Sequence, residues 1–491
     1  MYIMMIASEC APVSKVGGLA DVVDGLSCEL LRKGHNVEII LPYYDCMNHS
    51  LVENIQGNPV ELYVPFKGKQ IKCTVHTGMV HGNVCYFIKS HSGERYFDRG
   101  SFYGAGDDEE RFALFSVAAV EFMLKAGKQP DVIHCHDWQT ALITVLLCYR
   151  YKNSFLSNTK LCYTIHNIKH QGKVTHKLLD TAGLNPSIFT ELDAMADTLS
   201  PTYMNLMKGG IVYSDYVTTV SPKYAMETRT SELGEGLESV LSANASKYEG
   251  IINGVEYDVW SPEKDHNIPV NYSVDTIDDK YKNKEELRKK LSLRNVFKPI
   301  VAVVGRLDAQ KGVHLIRHSL LYSLNKGLQF VLLGSSPDNE IDEYFHHLKH
   351  YLRRNSDCCL NLSYDEELSH LIYAGSDMIL IPSLFEPCGL TQMIAMRYGT
   401  VPIVRNTGGL SDTVFDLELS QKPLIERNGF TFEDFTYEAI ESALTRAQFV
   451  WNEKPYTFRE VMITGMKTDY SWTLSADRYL SIYSKMLSGK N

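Results

Sequence analysis

Short apolar runs alternate with segments of helical pattern along nearly the whole chain, and they do so in two separate series. In the first half, Tyr2–Ala7, Val37–Leu41, Asp131–His134, Lys160–His166 and Tyr216–Val220 are runs rich in Val, Ile and Tyr. Helical patterns lie between them at Leu19–Lys33, Glu109–Lys125 and Trp138–Tyr149. In the second half the strand role falls to Pro299–Val304, Gln329–Leu333, Asp377–Ile381 and Val401–Val404, with helical patterns at Gly312–Asn325 and Asp342–Arg354. A strand that returns to its sheet through a helix must pair in parallel, and parallel sheets need both faces covered. The alternation therefore predicts an α/β chain of two Rossmann-like, doubly wound domains facing across a cleft. Ligands are expected at the C-terminal ends of both sheets, where the domains meet.

A length of 491 residues is too great for one core and agrees with two domains. Val60–Lys89 alternates like an antiparallel insert, with Gly78, Gly82 and Asn83 as turn signals. The polar stretch Asn253–Asn283, with Pro262 and Pro269, reads as the linker, and a final helix at Thr473–Leu487 could pack on either domain.

Composition excludes several classes. A net charge of −10 argues against a nucleic-acid or anionic-membrane surface. Eleven Cys occur without a C-x-x-C pair or other metal spacing, so neither a zinc site nor a disulfide framework is expected. No basic leader precedes Tyr2, and no apolar run could span a bilayer, so the expected setting is the cytoplasm.

The chemistry concentrates where strands pass into helices. Leu384-Phe385-Glu386-Pro387-Cys388-Gly389-Leu390-Thr391-Gln392 follows the run ending at Pro382 and opens a helix over Leu390–Gly399. A helix start offers backbone N–H groups to phosphate, Gly389 permits close approach, and Glu386 can accept from sugar hydroxyls. In the first half, Lys15-Val16-Gly17-Gly18-Leu19-Ala20-Asp21 stands in the same position. Its glycines expose N–H groups and Lys15 adds a point charge, although it is neither a P-loop nor a dinucleotide fingerprint. Gly305-Arg306 and Lys311-Gly312 bracket another strand–helix junction, with Arg306 and Lys311 placed to clamp a diphosphate. His134-Cys135-His136-Asp137-Trp138 ends a strand and offers Asp137 and Trp138 as a sugar-facing pair. His166, at the tip of Tyr163–Asn167, is either structural or a general base, and Asn253-Gly254 reads as a turn. No D-x-D tripeptide exists, so no metal is expected at a diphosphate, which Lys, Arg and helix ends must neutralise.

These motifs resemble, in number and order, those of the bacterial glycogen synthase and plant starch synthase family, over essentially the whole chain. The match rests on Lys15–Asp21, Arg111–Ala113, Asp137–Trp138, His166–Asn167, Lys208–Gly210, Thr219–Pro222 and Asn253–Gly254. It continues through Gly305–Arg306, Lys311–Gly312, Phe385–Gln392 and Thr407–Leu410. The resemblance implies a GT-B fold, with a first domain over 1–250, a second over 251–469, and residues 470–491 crossing back to the first. It implies transfer of glucose from ADP-glucose to the non-reducing end of an α-1,4-glucan, with retention of configuration and no cofactor. By the same resemblance Lys15, Gly17 and Gly18 contact the donor phosphates, and Arg306 and Lys311 stabilise the leaving diphosphate. Glu386 binds the glucosyl hydroxyls with Cys388, Gly389, Leu390 and Thr391 beside it, and His166 and Asn167 line the glucose pocket. Asp21, Asp137 and Asn253 surround the sugar, and Tyr364 stacks on the adenine.

Three positions depart from the usual pattern: Val16 stands for Thr, Lys169–His170 for a small–Tyr pair, and Phe97 for a residue bearing a hydroxyl. Ile394, eight residues beyond Glu386, replaces the second Glu of sucrose and trehalose-phosphate synthases and favours the glucan synthases. Transfer to another acceptor and a silent glucan-binding scaffold are the other classes open. Intact Lys15, Arg306, Lys311 and Glu386 argue against the scaffold.

Overall fold

The structure is a computed structural model and describes residues 1–57, 59–189 and 194–489. The chain divides into two compact units, one formed by Met1–Gly254 with the last helix, Trp472–Leu487, and the other by Val255–Ser471. Among the described residues no helix is long and apolar enough to cross a membrane.

In the first unit β1 (Tyr2–Ile6), β2 (Asn36–Pro42), β3 (Val60–Phe66), β4 (Lys69–Val80), β5 (Asn83–Ser90), β6 (Val132–His136) and β7 (Lys160–Ile165) precede a small antiparallel pair. That pair is β8 (Lys173–Val174) with β9 (Met204–Asn205), and β10 (Tyr216–Thr219) and β11 (Tyr248–Gly250) follow. Nine of these strands form one sheet in the order β11-β10-β7-β6-β1-β2-β5-β4-β3. The pairs are parallel except β3 with β4 and β4 with β5. The expected antiparallel segment is thus present, but β5 also pairs in parallel with β2 and fuses it into the main sheet. Both of its turns have two residues at positive φ, Lys67 and Gly68, then His81 and Gly82. Such mirror-image turns match the right-handed twist of the strands they join. Gly78, read as a turn signal, lies within β4.

Helices α1 (Gly18–Arg32), α2 (Asp108–Lys125) and α3 (Trp138–Cys148) cover the sheet, and α3 is buried along nearly its whole length. The last helix packs on α1 so closely that a Cβ on Gly25 would lie 1.9 Å from the Trp472 indole nitrogen.

The second unit contains β12 (Ile300–Val304), β13 (Gln329–Leu333), β14 (Cys358–Asn361), β15 (Met378–Ile381), β16 (Val401–Arg405) and β17 (Phe430–Phe432). All pair in parallel in the order β14-β13-β12-β15-β16-β17, the strand order of a dinucleotide-type doubly wound sheet. The helix read from Asp342 begins at Asn339, because the Asp338 carboxylate caps it by accepting from the Glu340 and Ile341 N–H groups.

Asn253–Asn283 is no slack linker: from Val255 onward it packs on the second unit. Its polar groups find partners there, with Asp265 accepting from Tyr398 Oη at 2.5 Å and lying 2.7 Å from His370 Nδ1. Trp260 stacks on the same His370 ring, and Tyr272 donates to the Tyr398 carbonyl. The chain passes between the units at Gly254–Val255 and again at Ser471–Trp472. Val255 and Ser471 form a parallel bridge beside these crossings, tied by Val255 N–H to Tyr470 O at 2.7 Å.

Candidate functional site

In the second unit β12 and β15 are neighbours, but the chain leaves them in opposite directions, to β13 and β14 on one side and to β16 and β17 on the other. The loops leaving two such strands diverge and open a crevice at their C-terminal ends. Lys311 comes from the first loop and Glu386 from the second, and they meet as an ion pair at 2.6 Å. Ser383 Oγ donates to the same Glu386 oxygen, Oε2, at 2.8 Å. Glu386 is 5% exposed, so this carboxylate is held almost out of solvent by the two donors. The Arg306 side chain is half exposed, 3.7 Å from Asp308. Asp308 also caps the turn that carries Lys311, accepting from its backbone N–H at 3.1 Å.

The Glu386 loop is fixed from behind. Gly409 N–H donates to the Glu386 carbonyl at 3.1 Å. A Cβ on Gly408 would lie 1.9 Å from that carbonyl oxygen, and one on Gly409 would lie 2.1 Å from the Cys388 carbonyl. Gly389 adopts φ +74° at the bend, and Gln392 donates to its carbonyl at 2.8 Å. Cys388 is buried, Leu390 precedes the helix Thr391–Arg397, and Thr391 opens it. Tyr364 follows the edge strand β14 and is 76% exposed, with its hydroxyl on Glu366 at 2.8 Å.

In the first unit the strand order reverses between β1 and β6. Lys15 and Asp21 face each other across the turn after β1 at 2.7 Å. The expectation that this turn offers its N–H groups to phosphate needs correction. The N–H groups of Val16 and Gly17 already donate to the Glu9 carboxylate, at 2.6 and 3.0 Å, while its other oxygen accepts from Tyr103 Oη at 2.6 Å. Glu9 is buried, and burial raises its pKa against the lowering effect of those bonds. Gly17 is the N-terminal cap of α1 and Gly18 its first residue.

Asp137 is buried and adopts φ +56°. Its Oδ1 accepts from the backbone N–H of His166 at 2.7 Å and of Asn167 at 3.4 Å, so it holds the loop after β7. Burial pushes its carboxyl up to about 7, with those N–H groups working the other way. Trp138 lines a cavity of about 380 Å³ with Asp108, Glu109, Lys169 and His170. Asn253 is buried, and its Oδ1 has no hydrogen-bond partner among the described residues.

His166 Nε2 lies 3.0 Å from His136 Nδ1. The His136 ring lies 4.2 Å from that of His134, which bonds to Thr164 Oγ1 at 2.6 Å and Tyr483 Oη at 2.8 Å. Burial lowers His134 and His166 to about 3 and His136 well below its usual value. At such a value the His166 ring is unprotonated near neutrality and a weak base, and both roles read for it are compatible with this arrangement.

The same burial sets a pH dependence. The folded pKa values lie below the unfolded value of about 6.5, so the unfolded chain binds more protons between the two and stability rises with pH there. The contribution is present above about 6.5 and is lost as pH falls toward about 3. Asp137 acts in the opposite sense below about 7, as does the raised Glu9 carboxyl, two groups against three. The urea midpoint should therefore fall steadily from pH 7 to pH 5. A constant midpoint over that range would contradict a neutral buried trio.

Glu9, Ser383 and Tyr103 escape the sequence reading, whereas the Gly408–Gly409 turn entered it only as part of the resemblance. Gly-Gly-Leu opens a helix after a strand both at Gly17 and at Gly408.

Comparison with known proteins accords with this arrangement. Residues 2–243 match the starch synthase catalytic domain, and residues 283–448 match glycosyl transferases group 1. The chain is 51% identical to glycogen synthase 1 of Nitrosococcus oceani, over 98% of this chain and 99% of that one. It is 53% identical to glycogen synthase 2 of Methylococcus capsulatus, with the same two coverages. The catalytic domain of starch synthase IV from Arabidopsis thaliana, bound to ADP and acarbose, superposes with a TM-score of 0.96 at 44% identity, covering 99% of each chain. Sucrose-phosphate synthase from Thermosynechococcus elongatus shares the fold, with a TM-score of 0.61 at 17% identity over all of both chains. With two doubly wound units and half-identical relatives along its full length, the chain belongs to the glycogen and starch synthase family of glycosyltransferases.

Proposed function

We propose that the protein transfers glucose from ADP-glucose to the non-reducing end of an α-1,4-glucan with retention of configuration. The observation that carries the reading is the Lys311–Glu386–Ser383 cluster where the strand order of the second unit reverses. Glu386 accepts glucosyl hydroxyls, chiefly on Oε1, since both its bonds fall on Oε2. Arg306 and Lys311 meet the negative charge that builds on the leaving diphosphate, the point at which fixed cations act most strongly. In the first unit Lys15, with Gly17, Gly18 and Asp21 beside it, is a further cation suited to a donor phosphate. Tyr364, exposed and aromatic, is suited to stacking on the adenine.

Retention follows from front-face attack: the bond from the anomeric carbon to the diphosphate breaks, the acceptor hydroxyl bonds on the same face, and its proton passes to the departing phosphate oxygen. The His166 backbone carbonyl lies near the anomeric carbon in this scheme, and the Asp137 bond to His166 N–H fixes that loop. The cavity beside Trp138, with Lys169 and His170, suits a glucan residue. Eleven free cysteines fit a reducing, cytoplasmic setting.

The deciding experiment measures nucleotide release from ADP-glucose and UDP-glucose, with and without a maltooligosaccharide. Release from ADP-glucose that requires the glucan and lengthens it is expected; indifference to the glucan would overturn the reading. Turnover is also expected to persist in chelator, because cations of the chain itself face the phosphates. Complete loss in EDTA, restored by magnesium or manganese, would contradict it.

A further inference from the structure

A second cluster, with no part in the reaction above, lies farther along α1 than the Lys15 turn. Asp24 and Cys28 stand one helical turn apart on α1, the spacing that puts two side chains on one face. His81 comes from the two-residue turn between β4 and β5, where φ +48° holds it in a fixed, left-handed conformation. Its Nδ1 lies 3.0 Å from each Asp24 oxygen, and Cys28 Sγ lies 3.6 Å from Asp24 Oδ1. One ligand atom from each of the three falls within 4.8 Å of the others.

The Asp24–His81 and Asp24–Cys28 separations are also close to those of a coordination shell. With metal–N/O bonds of about 2.0 Å and a metal–S bond of about 2.3 Å, tetrahedral edges come to about 3.3 Å for N to O and about 3.5 Å for S to O. Asp24 and Cys28 are buried, while the His81 side chain is half exposed and leaves a path for a fourth, water ligand. Asn83, fully buried, reaches Cys28 Sγ with Nδ2 at 3.3 Å, the hydrogen bond that a metal-bound thiolate accepts. Its other side-chain atom, Oδ1, has no hydrogen-bond partner among the described residues. The thiol also lies 3.8 Å from the His81 carbonyl, and an ordinary surface Asp–His pair does not account for the polar amide enclosed beside it.

We propose that Asp24, Cys28 and His81 form a binding site for a zinc-class divalent cation that clips α1 to the β4–β5 turn. The mixed sulfur, nitrogen and oxygen set selects zinc or cobalt over magnesium and calcium, which take oxygen. The cation is structural, so its removal should lower thermal stability and leave turnover of the folded enzyme unchanged.

The test uses the full, tag-free chain, stripped with chelator and dialysed against Zn²⁺ or Co²⁺. One equivalent of zinc should be retained, the melting temperature should rise with it, and cobalt should show a thiolate charge-transfer band. Cys28→Ser should abolish that band, and His81→Asn, which tolerates positive φ, should weaken zinc binding tenfold or more. The idea is overturned if wild type shows no thiolate–cobalt band at one equivalent, or if both variants retain as much zinc as wild type. Glucan synthesis by the stripped protein keeps this test separate from the transfer reaction itself.

Discussion

Glu386→Ala is expected to lower kcat by roughly 10²-fold or more while the chain still folds. The carboxylate sits in a near-dry crevice, oriented by Lys311 and Ser383, and its loop is braced from behind by Gly408 and Gly409. A hydroxyl acceptor fixed in this way needs no reorganisation as the transition state forms, which is why its loss falls on turnover. The substitution also leaves the Lys311 ammonium, about a quarter exposed, without its partner, so a modest fall in melting temperature should accompany it. Glu386→Gln separates the two effects, since the amide keeps the size and can still accept from Ser383 but carries no charge. If sugar hydroxyls are the main contact, Gln should be intermediate; if orienting Lys311 is, Gln should be as slow as Ala. A well-folded Glu386→Ala enzyme with near-normal turnover would refute the assignment.

Arg306 and Lys311 should behave differently from each other in stability and alike in catalysis. A charge-assisted contact that strengthens as the leaving group gains charge is lost from the transition state more than from the bound donor. Such contacts are worth about 2–5 kcal/mol when desolvated, so kcat should fall by more than donor affinity in Arg306→Ala and Lys311→Ala. Arg306→Lys should also be impaired, because an ammonium cannot reproduce a planar, bidentate fork. Arg306 is half exposed and its removal should cost little stability, whereas Lys311→Ala strands the buried Glu386 carboxylate. Turnover, donor affinity and melting temperature for the three variants decide the matter. Weakened donor binding with unchanged turnover would leave these residues as binding groups alone.

The fold was legible because parallel strands buried on both faces read as continuous apolar runs. Ile300–Val304, Gln329–Leu333 and Met378–Ile381 were found nearly to the residue for that reason. β14 was missed because Cys358, Cys359 and Asn361 are only half buried at a sheet edge and give no such run. Lys311 and Glu386 could be singled out because each sits at a strand–helix junction, where local pattern marks the place. Glu9 had no local mark: its role depends on a turn seven residues on and a tyrosine ninety-four residues away. Asp24 and Cys28 share a helix face, yet His81 is supplied only by the hairpin that folds back over them. The linker was misread for a similar reason, since its polar residues look solvated until their partners at His370 and Tyr398 are known.

The two crossings at Gly254 and Ser471 impose an order on biosynthesis. The second unit is one uninterrupted run of chain, enclosed in sequence by the first, whose closing helix is made after it. Until Trp472 reaches Gly25 and Tyr483 reaches His134, α1 lacks its covering helix and the histidine row lacks its terminal hydroxyl. Synthesis proceeds from the N-terminus at about 5–20 residues per second, so the nascent first unit waits incomplete for some ten seconds or more. The first unit can therefore close only after the whole of the second has been made, and a chain stopped before Trp472 leaves α1 uncovered.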